Sequence, residues 1–193
     1  GIVLNGGNIT GTDKVWYQTT YDYILLGSIN IHGGWSASRR LTIEPGNTIK
    51  SIEGVSINAS SGSGYGELYA IGTAMLPIKF TSWNGNQGGW NGIEVRYSAS
   101  FQNPSVFDYC IIENANTQNI LVAEGGNAII LNSSLQNAIQ DGIVFNESKG
   151  QIETSLLQNN GRHGVFLTGT STPLISNNNF LNNLSYPLFI NTP

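Results

Sequence analysis

Charged residues make up only 10% of this 193-residue chain, while apolar residues make up 39%. That balance excludes a disordered, solvating polypeptide, which has too little apolar surface to bury. The eight Lys and Arg are scattered apart from Arg39-Arg40, and the formal net charge is −4. No basic stripe exists to follow phosphates, so the reading is no nucleic acid. No apolar run reaches the roughly 18 residues of a membrane span. Cys110 is the one cysteine, which excludes an internal disulfide. With two histidines, no zinc spacing, no Ser/His/Asp context and no phosphate loop, neither a metal nor a cofactor is expected.

What abounds is Asn and Gly, 24 of each, with 33 Ser and Thr. These residues disfavour helices and suit short strands separated by tight turns, where a left-handed backbone is common. Five Asn-x-Ser/Thr sequons (Asn8, Asn58, Asn132, Asn146, Asn183) carry little weight in such a composition.

A repeat organises the chain. The segments CIIENA (110–115), SSLQNA (133–138), SLLQNN (155–160) and NNFLNN (178–183) superpose. Ile112, Leu135, Leu157 and Phe180 then share one column, at steps of 23, 22 and 23. Asn114, Asn137, Asn159 and Asn182 share another. A second motif keeps the same phase: NILV (119–122), GIVF (142–145), GVFL (164–167) and PLFI (187–190), with GIEV (92–95) upstream after a longer interval. Short β-prone runs at a period of 22–23 predict an all-β parallel β-helix, a β-solenoid of about eight coils. Stacked coils sit about 4.8 Å apart, so the Asn column is expected to form an inward amide ladder that satisfies buried polar groups. A leucine-rich repeat would need far more leucine. The threonines are too scattered for the regular rows of an ice-binding face.

The chain resembles the right-handed parallel β-helix repeat proteins of bacterial and archaeal cell surfaces. The resemblance is carried by YDYILLGSINI (21–31), LTIEPGNTIK (41–50), AIGTAMLPIKFTS (70–82), GGWNGIEV (88–95), FDYCIIENA (107–115) and NNLSYPLFI (182–190), in that order. NIHGGWSASRRL (30–41) departs from the pattern by its length. The resemblance implies a right-handed fold and an extracellular or cell-surface setting; it leaves activity open, because this scaffold serves lyases, hydrolases, adhesins and stalks. Residues 1–23 are expected as an N-terminal cap segment and 24–193 as a single β-helical domain. NASSGSGYGE (58–67) and SWNGNQGGWNG (82–92) are expected as loops. The final PLFINTP has no covering segment, so either flanking domains of the same polypeptide or another copy are expected to stack on it.

Three sets of residues invite a functional reading. The repeat register stacks Asp141 beside His163, with Arg162 adjacent, a weak candidate acid/base group on a turn. The nearby carboxylate is expected to raise the imidazole pKa. Outward alternation in the second motif gives the column Glu94, Leu121, Val144, Phe166, Phe189, whose last four members form an apolar stripe. Loop cover, a subunit interface and an aromatic platform for sugars all remain open for it. Glu94, Glu113, Asp108 and Glu124 lie on neighbouring coils without an obvious hydrolytic pair, and no Asp cluster suits a calcium-dependent lyase. Cys110 is expected as a small packing residue. The preferred reading is therefore a non-enzymatic structural module, self-associating through its ends or stripe. The alternative is a β-helix that binds polysaccharide or cleaves it as a lyase or glycoside hydrolase.

Overall fold

The computed structural model describes residues 1–60, 64–97 and 103–192. Among these, no helix occurs, and the chain winds through eight coils that feed three parallel sheets. The first sheet stacks Ile2–Leu4, Tyr23–Leu25, Thr48–Ser51, Ile78–Ser82, Cys110–Glu113, Ser134–Gln136, Leu156–Gln158 and Asn179–Leu181. The second stacks Gly7–Ile9, Ile29–Ile31, Ser56–Ala59, Gly92–Arg96, Ile120–Ala123, Ile143–Asn146, Val165–Thr168 and Leu188–Asn191. The third runs from Lys14–Trp16 through Arg39–Ile43, Gly66–Ile71, Ser105–Asp108, Asn127–Leu131 and Lys149–Glu153 to Leu174–Ser176. The expected all-β solenoid of about eight turns is what forms.

Strand residues alternate between the core and the outside. Ile49, Phe80, Ile112, Leu135 and Leu157 stand in register on five successive coils, all fully buried. Truncating any one to Ala should cost about 2–5 kcal/mol. Gly142 and Gly164 begin the second-sheet motif because the next coil leaves no room. A Cβ at Gly142 would lie 2.6 Å from the Gly164 carbonyl oxygen, and one at Gly164 2.6 Å from that of Pro187.

The corners of the coil explain the asparagines. Asn114, Asn137, Asn159 and Asn182 have φ of 68°, 56°, 54° and 54°, the left-handed region that Asn tolerates better than most residues. They are corner residues, and Asn159 and Asn182 are exposed. The inward ladder expected of them is displaced by one residue. Asn160 accepts the Ala138 N–H at 3.1 Å, and Asn183 accepts the Asn160 side-chain amide at 2.9 Å. The same rule holds at the neighbouring corner, where Tyr109, Asn132, Thr154 and Asn177 are left-handed. Each is followed by a small inward residue: the Cys110 N–H donates to Ser133, Ser133 to Ser155, and Ser155 to Asn178. Cys110 thus opens a column of hydrogen-bonded side chains, donating its own thiol to the Ala70 carbonyl at 3.3 Å.

Residues 1–23 differ from the expected cap segment. Ile2–Leu4, Gly7–Ile9 and Lys14–Trp16 pair in parallel with the next coil and constitute a coil themselves. Of the two expected loops, residues 61–63 of the first lie outside the described residues.

Candidate functional site

Asp141, Arg162 and His163 do come together, with a geometry unlike an acid/base group. The Asp141 carboxylate is fully buried and accepts from the Arg162 guanidinium and from the His163 backbone N–H at 3.1 Å, not from the imidazole. The hydrogen bond to Asp141 holds the Arg162 pKa above its ordinary value. The His163 ring stacks on Phe189 at 4.8 Å and on Tyr186 at 5.6 Å, and its Nδ1 accepts the Tyr186 N–H at 3.3 Å. Burial depresses the His163 pKa; Asp141 opposes that shift and Arg162 reinforces it. The expected rise is therefore reversed, because Asp141 is engaged elsewhere and desolvation wins.

The outward column of the second sheet has the expected register, Glu94, Leu121, Val144, Phe166, Phe189. Its exposure is uneven. Val144 is 8% exposed, Leu121 and Phe166 are half-buried, and Phe189 reaches 37% beside an exposed Tyr186. Upstream the same column carries an amide ladder: Asn58 donates to Asn30 at 2.8 Å, and Asn30 to Asn8 at 3.0 Å. Glu94 and Glu124 come together on one guanidinium, that of Arg96, whereas Asp108 accepts from the Asn132 amide.

Glu113 belongs to a different surface. The outer face of the first sheet carries a groove of about 470 Å³ whose lining includes Asp22, Lys50, Lys79, Thr81, Trp83 and Glu113. Glu113, with a side chain only 10% exposed, receives Lys79 Nζ at 2.8 Å. It also accepts from Thr81 Oγ1 at 3.0 Å, Gln136 Nε2 at 2.7 Å and Asn114 Nδ2 at 3.4 Å. Burial alone would raise its pKa, but the bonds from Lys79, Gln136 and Thr81, with the charge of Lys79, bring it below the usual carboxylate range. Gln158 donates to Gln136 at 2.7 Å, extending the polar row along the coils. Nearer the N-terminus, Lys50 Nζ meets Asp22 Oδ2 at 2.7 Å.

The loop 82–92 shapes this groove through its two tryptophans. Trp90 is fully buried, and its indole donates to the Glu113 carbonyl at 2.8 Å, tying the loop to the groove floor. Trp83 remains 52% exposed, with its backbone N–H held by the Ser51 carbonyl at 2.8 Å. Asn114, expected as a ladder rung, braces the loop by donating to the Gly85 carbonyl at 3.2 Å. Sequence reasoning missed Asp22, Lys50, Lys79 and Trp83. Extending the Ile112 column upstream to Phe80 and Ile49 would have placed Lys50, Thr81 and Glu113 in one outward column. Among the described residues, no three His, Cys, Asp or Glu converge as metal ligands, and no helix is long and apolar enough to cross a membrane.

A family model described as a right handed beta helix region matches residues 91–192, just over half of the chain. No curated protein and no solved structure gives a match.

Proposed function

Because the chain belongs to the right-handed β-helix family, a fold that does not by itself dictate function, we propose a role from its groove: a non-catalytic module that holds a carbohydrate chain along the outer face of the first sheet. The observation that carries this reading is the convergence of two ion pairs and an exposed indole on one groove. An exposed tryptophan beside charged and amide groups suits a sugar ring, which has C–H faces and a hydroxyl rim. The Glu113, Gln136 and Gln158 side chains continue the hydrogen-bonding row over two more coils, as an extended ligand requires.

Two features favour binding over cleavage. Hydrolytic carboxylate pairs stand about 5–9.5 Å apart, whereas Asp22 and Glu113 arise three rungs apart, about 14 Å at ordinary strand spacing. A general acid also needs a raised pKa, and that of Glu113 is lowered. The test is titration of the intact chain with a panel of neutral and acidic polysaccharides, read by tryptophan fluorescence. Binding that Trp83→Ala weakens supports the proposal. A parent that binds no member of the panel overturns it, as does a W83A variant that binds equally well.

A second reading, self-association as a structural surface or filament module, is favoured by the exposed Phe189 and Tyr186 at the end of the apolar column. Phe189→Ser combined with Tyr186→Ser should abolish any association seen by light scattering, and unchanged association would sink that reading. Both readings place the protein outside the cell, at a surface.

A further inference from the structure

We infer that His163 is an acid-sensitive latch between the seventh and eighth coils: its Nδ1 lone pair holds the next coil by the Tyr186 N–H, and a proton on that nitrogen releases it. The latch lies at the turn entering the second sheet and is independent of the groove on the first. At several corners of this solenoid a side chain accepts a backbone N–H from the adjacent coil. Hydroxyls and amides do so at Ser133, Ser155, Ser171, Asn160, Asn178 and Asn183, and their acceptor capacity does not change with pH. The column Asp141, His163, Tyr186 uses the same device in the opposite direction. Asp141 Oδ1 accepts the His163 N–H at 3.1 Å, and His163 Nδ1 accepts the Tyr186 N–H at 3.3 Å.

An imidazole nitrogen accepts only while it is unprotonated, so the neutral ring carries its proton on Nε2. A second proton goes to Nδ1 and turns an acceptor into a donor facing another donor. A half-turn of the ring cannot restore the bond, because it brings carbon Cδ2 to the same place. The bond is partly buried, so its loss leaves a donor that water satisfies poorly. The other bonds holding this turn end on carbonyls: the Leu184 and Ser185 N–H groups donate to Asn160 and Arg162, and the Tyr186 and Pro187 carbonyls accept from Gly164 and Val165. Pro187 has no N–H to offer, so Tyr186 is the last backbone donor before the strand Leu188–Asn191. The titratable and charged groups facing the ring are Asp141, Arg162 and Tyr186. Asp141 favours the imidazolium and Arg162 opposes it; the two are bonded to each other, so their fields largely cancel and burial keeps the ring neutral. The latch is closed near neutral pH and opens as pH falls below the ordinary histidine range.

The experiment measures amide hydrogen exchange in the full chain by NMR, as protection relative to the intrinsic rate at each pH. The Ala138 amide, held by Asn160 at 3.1 Å, is the internal control. Tyr186 should lose at least about tenfold in protection as His163 titrates, while Ala138 keeps its own. His163→Asn supplies an acceptor without a titratable nitrogen, as Asn160 and Asn178 do at other corners, and should keep Tyr186 protected throughout. His163→Ala should leave Tyr186 unprotected at every pH, with Ala138 reporting that the fold is intact. Tyr186 protection that does not change across the His163 titration overturns the inference. So does an acid loss in H163N equal to the parent's. A parallel fall at Ala138 in the parent also overturns it, because that pattern is general acid unfolding rather than release of one contact.

Discussion

Glu113→Gln removes one charge from the groove and keeps the side-chain shape. The carboxylate accepts from Lys79, Thr81 and Asn114 on one oxygen and from Gln136 on the other. An amide offers one acceptor, so its NH₂ must face a donor unless the Gln136 and Gln158 amides turn over with it. That inversion is available, which leaves the loss of charge as the main cost. Breaking a buried ion pair costs about 3–5 kcal/mol. Lys79, however, is 40% exposed and can turn to water, so about 2 kcal/mol is expected near neutral pH, or roughly 4–8 °C in Tm for a chain of this size. The pH dependence supplies the stronger test. A depressed folded-state pKa contributes stability that is complete above the ordinary glutamate range. It is lost as pH falls through the depressed value, because the unfolded chain takes up its proton first. Urea unfolding of parent and E113Q across that range should therefore show a gap that closes in acid. A gap independent of pH, or no gap near neutrality, would refute the assignment of Glu113 as an ionised anchor.

Arg162→Gln should destabilise by about 3 kcal/mol and more than Asp141→Asn does, because it leaves a buried carboxylate without its cation; the reverse order in denaturant unfolding would show that Asp141 is not the dependent partner. The His163 imidazole should titrate below the ordinary histidine range by NMR, and its contribution to stability should decline as pH falls below that range, since the unfolded chain protonates first. A titration at or above the ordinary value would mean that Asp141, not burial, governs the ring. Thr154 is a β-branched, exposed residue at φ 51°, so Thr154→Asn should stabilise by about 1 kcal/mol in thermal unfolding, and a lower Tm would contradict the corner rule.

Much of the scaffold was legible because solenoid coils stack like positions on like. The column Ile112, Leu135, Leu157, Phe180 and the column Leu121, Val144, Phe166, Phe189 both appear in the structure in the register that the period implies. The asparagine column was legible as a column but not as a role. Periodicity reports that a position recurs, and the same recurrence follows from an inward ladder or from a left-handed corner. Only backbone dihedrals separate the two, and they moved the ladder to Asn160 and Asn183.

The groove was hidden for a different reason. Asp22, Lys50, Lys79 and Glu113 follow one another at intervals of 28, 29 and 34 residues, well off the regular period. Loops of unequal length between strands scramble the spacing in that half of the chain without disturbing the stacking. Nor could composition show which tryptophan of the loop 82–92 turns inward. Trp90 does so because its indole finds the Glu113 carbonyl, a partner that exists only once the fifth coil lies beneath the fourth. By itself the sequence determined the period, the parallel β-solenoid and the apolar columns, since these depend on alternation and on positions that recur from coil to coil. The tertiary structure decided which polar groups meet across coils, because side chains distant in sequence become neighbours only through strand register.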